Sequence, residues 1–100
     1  MNIRVYGCND EQMRREVILA TKFYASELLS KKMLPYIRID LLFCSNISEL
    51  GSCSVAYTND WYKPREFEIE IKRKRSMKNT LVTLAHEMVH VKQFAKCELK

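Results

Sequence analysis

Alternation and helical spacing succeed one another in blocks along the chain. Residues 2–6, NIRVY, alternate and predict a short first strand. From Asn9, the stretch NDEQMRREVILATKFYASELLSKKML carries Met13, Val17, Ala20, Tyr24 and Leu28 at helical spacing, with Ile18, Ala25 and Leu29 widening the stripe. Asn9 followed three residues later by Gln12 predicts the N-cap, and Pro35 predicts the end. YIRIDLLF then places Ile37, Ile39, Leu41 and Phe43 on one face of a half-buried strand, and the polar segment Ser45 to Ser52, with Gly51, predicts a loop.

CSVAYT and REFEIEIK predict two strands joined by a hairpin around NDWYKP. In the second, Phe67, Ile69 and Ile71 point one way and Glu66, Glu68 and Glu70 the other, so one sheet face should be solvated. The last block, SMKNTLVTLAHEMVHVKQFAKCEL, repeats apolar residues at Met77, Leu81, Leu84, Met88, Val91 and Ala95. Steps of four and three make it the strongest helix in the chain, with Ser76 or Asn79 as its N-cap.

One hundred residues make a single domain, and two glycines with two prolines argue against a disordered segment. The N-terminus has no apolar run of signal-peptide length and nothing approaches the roughly 20 apolar residues of a membrane span, so a cytoplasmic location without a membrane partner is expected. Cys8, Cys44, Cys53 and Cys97 are scattered and form no C-x-x-C pair, which points to free thiols instead of a disulfide framework. The net charge of +5 is uneven: residues 1–62 hold seven Lys/Arg against seven Asp/Glu, and residues 63–100 hold ten against five. That excess hints at a polyanionic partner. Lys72, Arg73, Lys74 and Arg75, with Lys78 beyond, are candidate phosphate contacts to DNA, although a solvated strand-to-helix connection is their plainer reading. Trp61 and Tyr62, at the expected hairpin tip, either stack on a partner or pack over the turn.

The chain's only histidines, His86 and His90, stand four apart in HEMVH. At about 100° per residue, the apolar seam of the last helix centres about 180° from His86, and the two histidines lie about 40° apart. Both imidazoles therefore leave the face turned from the core, about 6 Å apart along the axis, where two ring nitrogens can converge on one ion. Glu87, about 100° round from His86, cannot easily be a third ligand from the same turn but can reach a water on the metal. This is the H-E-x-x-H chemistry: two neutral imidazoles hold Zn2+, the ion lowers the pKa of its water toward about 7, and the glutamate takes the proton.

TLAHEMVHVKQFAKCEL, preceded by KPREFEIEI, resembles the SprT-like zinc metallopeptidase domains, in particular the small versions encoded by bacteriophages. The resemblance covers roughly Cys53 to Leu99, and the first half shares only the order strand, helix, strand. It implies an α+β, zincin-like fold: a mixed or antiparallel sheet of about four strands, one backing helix and a C-terminal active-site helix crossing beneath the edge strand. It also implies that His86 and His90 are zinc ligands, that Glu87 is the catalytic base, and that the substrate is a protein or peptide, met in the host cytoplasm if the chain is phage-encoded. Related domains in larger proteins cleave proteins bound to DNA, which would suit the basic C-terminal region.

Catalytic zinc normally takes three protein ligands. In the family the third comes from well beyond the second histidine, whereas ten residues follow His90 here. Cys97 is in phase with the pair but about 10 Å further along the helix. The expectation is that residues 1–100 form the N-terminal part of a longer protein, or that an upstream residue or a second chain completes the site. Upstream, LGSCSV has a distant likeness to the cysteine motif of peptide deformylases, although their glycine-rich motif is absent, which makes Cys53 a candidate third ligand. The row Glu66, Glu68 and Glu70 is another carboxylate source, and a solvated strand face is its plainer reading. Against the metallopeptidase stands a different class: a non-catalytic, DNA-associated binding module that retains a degenerate metal site.

Overall fold

The computed structural model describes residues 1–45, 47–55 and 65–96. The elements are β1 (Asn2–Tyr6), α1 (Glu11–Leu28), a 3-10 turn (Leu34–Tyr36), β2 (Arg38–Cys44), β3 (Gly51–Val55), β4 (Glu66–Lys72) and α2 (Met77–Ala95). Together they form an α+β fold, a four-stranded mixed sheet with two helices. The strand order is β1-β2-β4-β3, with β1, β2 and β4 parallel and β3 antiparallel to β4. Parallel neighbours need a crossover, which α1 supplies between β1 and β2. Among the described residues the last strand in sequence sits inside the sheet, and β3 lies at one edge with β1 at the other.

The alternation read from the sequence sets the two faces. Ile39, Leu41 and Phe43 of β2 register with Phe67, Ile69 and Ile71 of β4, and all are buried under the helices. Val17, Ala25 and Leu29 from α1 meet Leu84, Met88, Val91 and Ala95 from α2 over that layer. The opposite face carries the charges: Arg38 bridges Asp40 at 3.2 Å and Glu66 at 3.4 Å. Asp40 is itself mostly covered, although it lies on this polar face.

Several expected boundaries move. The N-cap of α1 is Asp10 and not Asn9: its carboxylate accepts from the backbone N–H groups of Gln12 and Met13, satisfying donors that the first helical turn leaves free. The same helix ends at Leu28, before Pro35, because Leu29 turns extended (φ −115, ψ 153) to bury its side chain in the core. Pro35 instead opens the 3-10 turn. The expected loop gives up Gly51 and Ser52 to β3, whose ladder pairs Gly51 with Ile71 and Ser52 with Glu70. The rest of the expected strand CSVAYT beyond Val55, the hairpin tip with Trp61 and Tyr62, and Cys97 lie outside the described residues.

α2 begins as expected on Ser76, whose hydroxyl accepts from the Asn79 N–H at 3.2 Å. At its other end, Arg65 donates to the Ala95 carbonyl at 3.2 Å, placing a cation at the negative end of the helix and tying α2 to the start of β4. The far end of the sheet is closed by Gly7, with φ +77; a Cβ there would stand 2.5 Å from the Phe43 carbonyl oxygen. Among the described residues no helix is long and apolar enough to cross a membrane.

Candidate functional site

α2 packs against β3 and β4, so its middle turns run under the sheet edge. His86 is exposed and His90 half-buried, and their rings stand edge to face with centroids 5.1 Å apart. This is the one-turn neighbourhood that the helical repeat dictates. His90 is further oriented by Gln93, whose Oε1 lies 3.0 Å from Nδ1. With Nδ1 engaged by Gln93, Nε2 is the ring nitrogen that this contact leaves open.

Glu87 differs from the expectation of a residue merely flanking the pair. Only 5 % of it is exposed, because β3 closes over its side of the helix. The contact depends on Gly51: a Cβ there would stand 2.6 Å from Thr83 Cγ2 and 3.3 Å from Glu87 Cγ. Glycine thus lets the edge strand settle on α2 directly beside the glutamate. The result is an open cleft of about 410 Å3 in which His86, Glu87 and His90 face Glu49, Ser52 and Cys53, with Phe94 at one end.

Cys53 therefore does share a cleft with the histidine pair. Its register opposite Ile69 puts it on the helix side of β3. Burial, and then the nearby Glu87 carboxylate, push its thiol up to about 12 from 9.0. That direction belongs to the metal-free chain, since a bound cation would itself favour the thiolate. The sign also fixes reactivity: a raised thiol pKa leaves a thiolate population about a thousandfold smaller at neutral pH than an ordinary cysteine has. Iodoacetamide at pH 8 is accordingly expected to label Cys8 and Cys44 well before Cys53, as peptide mapping over a time course would read; equal rates would show that Cys53 is ionised.

The zinc-ligand requirement can be tested on the donors themselves. His86 and His90 fit as a two-point chelate with an oriented second nitrogen, but no group of three His, Cys, Asp or Glu side chains able to hold an ion occurs among the described residues. Glu66, Glu68 and Glu70 are excluded by position, because their side of β4 is the sheet face opposite the helices. The described residues therefore supply two ligands of the usual three.

The basic run lies at the end of β4 and in the connection to α2. Lys72 to Arg75 line a second open cleft, of about 520 Å3, together with Ser45 and Leu50. Arg75 donates to the Thr83 hydroxyl at 2.7 Å, and Lys78 is exposed in the first turn of α2. Sequence reasoning missed Glu49, Leu50, Thr83 and Phe94 as parts of this region. Only Gly51 carried a signal, since an isolated glycine beside a strand pattern often marks a close approach of backbone. Comparison with protein-family models, curated proteins and solved structures found no match to this chain.

Proposed function

We propose that the chain is a zinc-dependent metallopeptidase of SprT-like type, acting on protein or peptide substrates. The observation that carries the reading is the joint placement of His86, Glu87 and His90 in one open cleft against an edge strand. Zinc held by His86 and His90 would supply a Lewis acid that polarises a peptide carbonyl and makes water nucleophilic near neutral pH. Glu87 would take the proton from the attacking water and pass it to the leaving amine nitrogen. Its burial beneath β3 limits its rotamers and would hold the carboxylate beside the reacting carbon. Gln93 would steady the His90 ring through Nδ1 and leave Nε2 for the metal. An extended substrate would add to the outer edge of β3 through main-chain hydrogen bonds.

The second reading, a DNA-associated binding module with a degenerate metal site, draws on the two-donor set and on the cations of Lys72 to Arg75. Metal analysis and proteolysis together separate the two. Because two protein ligands hold zinc weakly, the chain is expected to retain less than one zinc after dialysis and to lose it to a chelator. With zinc in excess it should cut an unfolded protein, and the chelator should stop the reaction. Absence of any cleavage at full zinc occupancy would favour the binding module.

A further inference from the structure

Two exposed aliphatic side chains stand out beside the candidate site. Leu50, just before β3, is 53 % exposed, and Val82, one turn ahead of His86 on α2, is 61 % exposed. They come from different elements yet line one cavity of about 390 Å3, in which Gly51, Thr83, His86 and Glu87 also take part. His86, Glu87 and Gly51 are common to this cavity and to the histidine cleft. It is thus a side pocket of that cleft, apolar where the cleft is polar.

Leu50 also walls the cationic cleft, so that cleft adjoins the apolar pocket across one side chain. The four cations there lack an acidic partner among the described residues, where the ion pairs are those of Arg38. They precede the N-terminus of α2, whose first turn holds no acidic residue, and so crowd positive charge at the positive end of a helix. An anion in the cleft would relieve that repulsion. Arg75, held by Thr83, fixes one edge of this charge next to the apolar pocket.

We propose that the cleft selects peptides carrying a large apolar side chain beside the reacting carbonyl and an acidic stretch further along. The apolar chain enters between Leu50 and Val82, and the acidic residues lie against Lys72 to Arg75. The choice of an acidic peptide as the occupant follows from continuity: the cations adjoin an apolar pocket and an edge strand, both of which suit a polypeptide. The proposal rests on the peptide-cleft reading above, but it concerns binding and can be measured without turnover.

The test uses fluorescence anisotropy on the whole 100-residue chain, with chelator present so that nothing is cut. Four labelled peptides combine a central Leu or Ser with an acidic or a lysine-rich flank. The Leu-acidic peptide should bind tightest, and either change should weaken it at least about tenfold, the scale of one lost pocket contact. Leu50→Ala with Val82→Ser should erase only the Leu preference. Arg73→Glu with Lys74→Glu should erase only the acidic preference, which should also fade as salt rises. All four positions are at least partly exposed, and circular dichroism checks that each variant folds.

Equal binding of all four peptides would overturn the proposal. So would a DNA oligonucleotide of matched charge that bound ten times tighter than the acidic peptide and lost that advantage in Arg73→Glu with Lys74→Glu. Cleavage by the zinc-loaded chain is scored separately. Selective binding without cleavage would uphold the pockets and sink the peptidase, whereas cleavage indifferent to both features would do the reverse.

Discussion

Glu87→Gln is expected to keep zinc and peptide binding while lowering turnover at least about a hundredfold, the scale of a lost general base. The substitution is nearly isosteric, which matters because the side chain is 5 % exposed and lies against Gly51; a smaller residue would loosen β3 and confuse the result. Glutamine cannot accept the proton of the attacking water. Among the described residues the other carboxylate lining the histidine cleft is Glu49, which is exposed on the segment before β3 and is not carried by the helix. Proteolysis of an unfolded protein, with zinc content measured on the same samples, decides the matter. A variant that still cut at near wild-type rate would take Glu87 out of the reaction and put the binding module ahead.

Leu84→Ala should produce the largest loss of stability of the substitutions considered, about 3 kcal/mol, because a fully buried leucine leaves both a transfer cost and a cavity. For a chain of this size that lowers the thermal midpoint by at least about 10 °C. His86→Ala with His90→Ala should behave oppositely in metal-free protein, leaving the helical circular dichroism nearly unchanged. Leu84 and His86 are two residues apart on the same helix, on nearly opposite sides of it, so Leu84 is buried while His86 is exposed. Thermal melts followed at a helical wavelength compare them directly. Collapse of the double histidine variant would mean that the pair is part of the fold and that metal, if bound, is structural.

The neighbouring placement of His86 and His90 was legible because a helix has one repeat, and that repeat alone puts residues four apart on neighbouring turns. The seam of Leu84, Met88, Val91 and Ala95 came from the same periodicity, and the two-residue period gave the buried faces of β2 and β4. Less was readable at the ends of elements. Asn9 and Asp10 are both good caps, and adjacent candidates differ only in which carboxylate or amide the turning backbone aims at the free N–H groups. Pro35 marked a stop correctly in kind, but the helix broke earlier for a tertiary reason, the burial of Leu29.

The sequence by itself determined the inventory of strands and helices, the core seams, and the pairing of two imidazoles one turn apart, because each follows from local repeats of side-chain direction. It could not determine which strand lies at the sheet edge. Placing β4 between β2 and β3, parallel to one and antiparallel to the other, is a decision of long-range pairing. From that placement come the features on which the proposed function turns: β3 over α2, Gly51 against Thr83, Glu87 covered on one side, Cys53 across from the histidines, and the glutamate row exiled to the far face. A helical wheel fixes a residue's angle about its own axis, but only the packed neighbour decides whether that direction is solvent, core or cleft.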